Sequence, residues 1–181
     1  MWKELHWVSG PWPGKLAVAP RPRGGEWLED DLASWRRAGI ATVLSLLTPD
    51  EEQDLDLSRE GSAAQEQGMT FRALPIPDRG VPNSETEVAA ALETLDADLG
   101  SGKNVVVHCR QGIGRSGMIA VCLLLTKGVS PKKAVDVVSA ARGIPVPETP
   151  EQRNWIDHYA SVLASPPTNL ASQSHGLRLR S

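Results

Sequence analysis

Three consecutive valines, Val105, Val106 and Val107, lead into His108-Cys109-Arg110-Gln111-Gly112-Ile113-Gly114-Arg115-Ser116-Gly117, and the apolar run Met118 to Leu125 follows at once. The valines read as a buried strand and the later run as a buried helix, so the polar stretch between them is a strand-to-helix turn. A loop entering a helix N-terminus aims several unpaired backbone N–H groups at one spot, and the helix dipole adds positive potential there. Such a spot binds tetrahedral oxyanions. Gly112 and Gly114 allow the tight curl, because glycine tolerates positive φ and leaves no Cβ in a ligand's way. Cys109 opens the loop in the same electropositive bowl, which favours its thiolate, the form that attacks phosphorus. Arg115 closes the loop with a planar fork suited to two phosphate oxygens. Ser116 is placed to give a hydroxyl hydrogen to the departing sulfur.

Cysteine, five residues, then arginine and serine, in the pattern H-C-x-x-G-x-G-R-S, resembles the signature loop of the cysteine-dependent protein tyrosine phosphatases. The size and layout of the chain are similar to the dual-specificity branch of that superfamily. The resemblance covers about residues 7 to 164 and is carried mainly by the loop. It implies that Cys109 is the nucleophile, Arg115 the phosphate-binding arginine and Ser116 the donor to the leaving thiolate. Arg110, Gln111, Gly112, Ile113, Gly114 and Arg115 would form the phosphate cradle. His108 is expected to orient the loop by hydrogen bonding. No metal or other cofactor is called for.

The loop calls for a proton donor, because an alkoxide or phenolate leaves poorly unaided. Asp78 lies in the irregular stretch Pro75-Ile76-Pro77-Asp78-Arg79-Gly80-Val81-Pro82-Asn83, after a strand read over 69–74. That strand is expected beside the Val105 strand, which would bring both loops to one sheet edge. The resemblance implies an acid on such a loop that later acts as base toward water. A plain turn-forming role also suits Asp78. Asp96 and Asp98 fall on the following helix, away from a mobile lid. Gln152 matches, in type and rough position, a glutamine that places water in related phosphatases, and a helix-capping role accounts for it equally well.

The rest of the chain fits one α/β domain over residues 1–164, with about five mostly parallel strands and helices on both faces, the phosphatase fold. Trp7-Val8 and Leu16 to Ala19 read as an edge hairpin. Residues 26–38 read as an amphipathic helix with Trp27 and Trp35 as core anchors, and 40–47 as a buried strand. Thr48-Pro49-Asp50-Glu51 opens a short helix whose acids, through Asp56, read as a solvated face. A further helical piece spans 58–67. Ser84 with Glu87 reads as a capping box for a helix ended by Gly100 and Gly102, Ser130-Pro131 opens another that ends near Gly143, and Thr149 to Gln152 opens the last, to about Ala164. Arg21 and Arg23 read as solvated loop arginines, and Cys122 as core packing. The segment from Ser165 to Ser181 is polar and expected to be a mobile tail.

With 181 residues, 40% hydrophobic and 23% charged, the chain suits one well-packed domain. A net charge of −3 argues against a general nucleic-acid surface. Two cysteines make no disulfide framework, and a working thiol points to the reducing cytoplasm. No apolar run is long enough to span a bilayer. Nothing in the pattern specifies an oligomeric state.

The expected function is hydrolysis of phosphate monoesters, foremost phosphotyrosine and also phosphoserine or phosphothreonine in proteins, through a cysteinyl-phosphate. Phosphoinositides or nucleotides would suit the same chemistry. A rhodanese-like sulfurtransferase has no use for an acid loop, and an arsenate reductase needs a second thiol that Cys122 is poorly placed to supply. A non-catalytic phosphate-binding module could dispense with Cys109.

Overall fold

The structure is a computed structural model and describes residues 4–165. Near-continuous buried runs in the central strands build a sheet covered on both faces. Strands β1 (His6–Val8), β2 (Leu16–Pro20), β3 (Ile40–Ser45), β4 (Thr70–Ala73) and β5 (Asn104–Cys109) pair in the order β1-β2-β5-β3-β4. Only β1 and β2 run antiparallel; the other pairs are parallel. This is the single-domain, mostly parallel α/β architecture expected.

Alternate residues of each strand serve opposite layers, as a pleated strand requires. Leu16, Val18, Leu44, Val105 and Val107 pack with α4 (Glu85–Gly100), α5 (Arg115–Thr126), α6 (Pro131–Arg142) and α7 (Pro150–Ala164). Ala17, Ala19, Val43 and Val106 face α1 (Leu28–Arg37) and α3 (Glu60–Glu66). Helix α5 is buried nearly all round, from Arg115 to Leu125, which is why its sequence carries no polar face. Cys122 is a free cysteine within it, and burial pushes its thiol pKa up. Among the described residues no helix is long and apolar enough to cross a membrane.

Three readings are corrected by the sheet order and by the chain around α1. Strand β4 pairs with β3, which separates it from β5, so the Asp78 loop does not arrive from a neighbouring strand. It arrives because the chain beyond β4 keeps tracking the end of β3, with Leu74 N–H donating to Ser45 O (2.9 Å) and Ile76 N–H to Leu46 O (3.2 Å). Trp27 is 48% exposed, not a core anchor. It ends a 3₁₀ turn (Gly25–Trp27) before α1 begins and so falls outside the helix's apolar stripe, whereas Trp35 is buried. Arg23 is no free loop arginine: its guanidinium binds Asp31 (2.6 Å) and lies 4.7 Å from the Trp27 ring centre. Of the tail, only Ser165 falls within the described residues.

Caps follow the expected chemistry. Thr48 and Glu51 form a reciprocal capping box on α2 (Pro49–Asp54), and Thr149 and Gln152 form another on α7. Ser84 makes one half of the expected box, accepting from the Glu87 N–H (3.2 Å).

Asp98, on α4, is the polar anchor between helix and sheet. Its carboxylate accepts from Thr42 Oγ1 (2.9 Å) and Lys103 Nζ (2.9 Å), with Arg72 3.8 Å away. Burial alone would raise its pKa, but the bonds from Lys103 and Thr42 and the neighbouring charges outweigh this and hold it below the usual carboxylate range. The unfolded chain therefore binds this proton more readily than the folded one. Asp98 stabilises the fold above the ordinary aspartate pKa of about 3.9, and that contribution disappears as pH falls through the lower folded value. We predict that Asp98→Asn lowers stability at neutral pH and removes part of the decline below about pH 4. Urea unfolding at a series of pH values checks this; parallel curves for the two proteins would contradict it.

Candidate active site

The phosphate-type loop lies where β5 ends and α5 begins. Cys109 is the last residue of β5 and Arg115 the first of α5, with Gly114 at the N-cap. The curl is fixed from outside as well as from within. Gly112 has φ +70°, and a Cβ there would lie 2.5 Å from both the Ala19 carbonyl carbon and the Pro20 nitrogen, at the end of β2. Arg142, at the end of α6, donates through Nε to Gly112 O (2.7 Å) and through Nη2 to Gln111 O (3.2 Å). Arg110 and Gln111 are exposed at the rim, Ile113 is half-buried, and Gly112 and Gly114 are buried.

Cys109 is 3% exposed, and its Sγ is 3.4 Å from the Ser116 hydroxyl oxygen. Ser116, on the first turn of α5, is fully buried beneath the loop. The hydroxyl can donate to a thiolate from there.

Arg115 is the most heavily bonded group in the site. Only 2% of its side chain is exposed. Nη1 donates to Glu51 Oε2 (2.7 Å), Ile76 O (2.8 Å) and, more weakly, Leu46 O (3.4 Å). Nη2 donates to Glu51 Oε1 (2.9 Å) and Asp78 Oδ1 (2.8 Å). The two-toothed pairing with Glu51 matches the planar fork of the guanidinium to a carboxylate. Burial opposes the charge on Arg115, but Glu51, Cys109 and Asp78 more than compensate, and its pKa is raised. The Glu51 carboxyl also resists its charge through burial, yet the Arg115 and Thr48 bonds hold it below the usual range.

Glu51 corrects the reading of α2 as a solvated acidic face. It is buried, and its capping box with Thr48 aims its carboxylate at Arg115. The clue was available in principle: an arginine buried at an anion site needs a carboxylate partner, and Glu51 is the acid that the Thr48 capping box fixes just beyond β3.

Asp78 is half exposed, at the site's mouth. Its Oδ1 also accepts from the N–H of Arg79, whose φ is +58°. Gln152 is fully buried at the start of α7. Its Oε1 accepts from Glu148 N–H (3.1 Å) and Thr149 N–H (3.3 Å), and its Nε2 donates to Gly80 O (3.1 Å). It therefore caps α7 and grips the acid loop with the same amide. A Cβ on Gly114 would lie 2.9 Å from Gln152 Oε1 and 3.0 Å from Glu148 Oε2, so this connection also abuts the phosphate loop.

His108 stands apart from these groups. It alternates with Cys109 on β5 and is fully buried on the opposite face of the sheet. Its Nε2 is 2.8 Å from Glu60 Oε1, although the ring and carboxylate are not aligned for a hydrogen bond, and Trp35 tilts against it at 5.7 Å. No hydrogen bond joins its ring to the loop among the described residues; its link to the site is its backbone, where His108 O accepts from Leu46 N–H (3.0 Å). Among the described residues no three or more His, Cys, Asp or Glu side chains come together as a metal-holding group.

A thiol at the head of a glycine loop, an arginine at its foot and a carboxylic acid on a facing loop define the class of cysteine-dependent phosphatases. Residues 17–129 match the family model described as "polymorphic toxin system, DSP-PTPase phosphatase", and the chain belongs to that family. It is thereby a dual-specificity-type member of the protein tyrosine phosphatase superfamily, which is a superfamily of phosphoric monoester hydrolases and not of sulfurtransferases. The rat cyclin-dependent kinase inhibitor 3 is 29% identical over 142 residues, covering 76% of this chain and 66% of the relative. The chain thus spans about two thirds of that relative's length. Rat dual specificity protein phosphatase 5 is 25% identical over 115 residues, covering 63% of this chain and 30% of the relative. The fold is similar to the crystal structure of kinase-associated phosphatase carrying serine for its catalytic cysteine, with TM-score 0.84, 23% identity, and 92% and 98% of the two chains covered. It is also similar to the active form of Tk-PTP, with TM-score 0.73, 25% identity, and 89% and 99% covered.

Two substitutions follow from this geometry. Gly112→Ala forces a side chain into left-handed backbone against β2, at a cost of about 1–3 kcal/mol for the strain alone, and should lower both thermal stability and vanadate affinity. Glu51→Gln leaves the buried Arg115 charge with only the half-exposed Asp78 as counter-charge and should lower kcat/KM by at least about tenfold through loss of orientation. Steady-state kinetics together with vanadate titration checks both.

Proposed function

We propose that the protein hydrolyses phosphate monoesters of tyrosine, and also of serine and threonine, in phosphoproteins by way of a cysteinyl-phosphate. The observation that carries this reading is the convergence of Cys109, Ser116, Arg115 and Asp78 at one loop mouth, through contacts of 3.4 Å (Sγ to Oγ) and 2.8 Å (Nη2 to Oδ1). In the first step Cys109 Sγ attacks phosphorus in line. The S–P bond forms as the P–O bond to the leaving group breaks, and protonated Asp78 gives its hydrogen to the departing oxygen. The loop N–H groups and the Arg115 fork hold the equatorial oxygens, where charge accumulates.

In the second step Asp78, now a carboxylate, removes a proton from water that attacks phosphorus. The P–S bond breaks, and the Ser116 hydroxyl stabilises the sulfur as it leaves. Gln152 is the amide nearest the loop from α7 and serves to place that water and hold the Asp78 loop. His108 supports the end of β5 from the far face. Arg110, Gln111, Gly112, Ile113 and Gly114 complete the phosphate cradle. The catalytic unit spans residues 1–164, acts without a cofactor, and works in the cytoplasm, where thiols stay reduced. Its half-exposed acid and exposed Arg110 rim support a mouth open to phosphorylated side chains of more than one length.

Cys109→Ser should abolish turnover. Asp78→Asn should lower kcat by about 10²–10⁴, the usual worth of a positioned acid. Phosphate release from phosphotyrosine, phosphoserine and phosphothreonine peptides measures this. Full turnover by Cys109→Ser would exclude the covalent route.

A further inference from the structure

We propose that Arg79 and Glu148 form a clasp that keeps the Asp78 loop over the phosphate loop once substrate has drawn Arg115 away. This rests on the reading of Asp78 as general acid and adds to it the residues that hold that acid in place. Asp78 Oδ1 has two donors, the N–H of Arg79 and Nη2 of Arg115. A bound phosphate competes for Nη2, because the same fork must serve the equatorial oxygens. At the moment of reaction Asp78 therefore depends on its own loop for position.

That loop is tied at consecutive residues, Arg79 and Gly80, to the connection between α6 and α7 and to the first turn of α7. Arg79 Nη1 donates to Glu148 Oε1 at 2.6 Å. Thr149 Oγ1 reaches Arg79 O at 3.4 Å, and Gln152 Nε2 donates to Gly80 O at 3.1 Å. The other carboxylate oxygen of Glu148 lies against the phosphate loop, 3.0 Å from where a Gly114 Cβ would be. Glu148 thus touches the acid loop with one oxygen and borders the phosphate loop with the other. Arg79 holds a left-handed backbone (φ +58°) that an L-residue adopts only when its surroundings impose it. The peptide turned in this way is the one that presents the Arg79 N–H to Asp78.

An exposed ion pair contributes little to global stability. Arg79 is 64% exposed and Glu148 34%, so the pair acts on geometry instead. Both are positioning residues, since neither needs to touch the ester. In the first step, misplacing an acid by a fraction of a hydrogen-bond length costs rate only where the leaving group needs its proton, and kcat/KM reports that step alone.

Leaving-group dependence therefore tests the clasp. Phenyl phosphate releases a phenolate of pKa about 10, close to that of tyrosine, whereas 6,8-difluoro-4-methylumbelliferyl phosphate releases a group that departs without a proton. For Glu148→Gln and Arg79→Gln we expect kcat/KM on phenyl phosphate to fall about tenfold, a part of what a positioned acid supplies. On the fluorinated ester kcat/KM should change less than about twofold on the same grounds. The charge-exchanged double variant Arg79→Glu/Glu148→Arg should recover most of the loss. Asp78→Asn, run alongside, should show the same selectivity at greater depth. If Asp78→Asn is selective but the clasp variants lose both substrates equally, lose neither, or are not rescued by the exchange, the clasp is overturned and the acid stands. If Asp78→Asn itself shows no selectivity, the acid assignment fails, and the clasp with it.

Discussion

The buried guanidinium of Arg115 is the constraint on which the site depends. A cation 2% exposed is tolerable only with a counter-charge and nearly all its N–H groups bonded. Here the partners come from two stretches of chain: Leu46 and Glu51 after β3, and Ile76 and Asp78 after β4. One side chain thereby fixes the relative positions of the helix that carries it, the chain leaving β3 and β4, and Asp78. Removing Glu51 would leave a buried positive charge facing only carbonyl oxygens and one exposed acid, which differs from deleting an ordinary surface pair.

The sheet order explains why those pieces meet. Strand β5 lies between β2 and β3, so its carboxyl end has a parallel neighbour on each side. On one side Pro20 and Ala19 press against Gly112; on the other, the chain leaving β3 supplies Leu46 and then the capped helix bearing Glu51. The acid loop is one strand further out and reaches inward by extending the ladder past β4 to Ile76. Parallel strands gather their carboxyl ends, and the chemistry collects at that edge.

The loop, its nucleophile, its arginine and the α/β architecture were legible because they are local: strand periodicity, glycine spacing and an apolar helix lie within a few residues of one another. The edge hairpin and the capping boxes were readable for the same reason. What escaped was pairing at long range. Glu51 carries the marks of a first-turn acid and a cap, both of which it is, and nothing nearby signals a partner 64 positions away. Trp27 and Trp35 share a helical spacing on paper, but the 3₁₀ turn rotates Trp27 off the apolar stripe, and no propensity specifies where such a turn passes into α-helix. Strand adjacency was misjudged because sequence order places β4 nearest β5 while the parallel ladder interposes β3.

Arg142 shows how a residue outside the bowl prepares its inside. In a trans peptide the C=O and the following N–H point in opposite directions. By binding the Gln111 and Gly112 carbonyls from the outer side, Arg142 turns the N–H groups of Gly112 and Ile113 toward the interior of the loop. The left-handed Gly143 ends α6 immediately after it, so its long side chain issues from a fixed helix terminus and not from a mobile segment. Its positive charge also deepens the potential of the bowl without occupying it. Donors set in this way before substrate arrives need no rearrangement as charge builds on the phosphoryl oxygens, and this is the circumstance in which hydrogen bonds lower a barrier most.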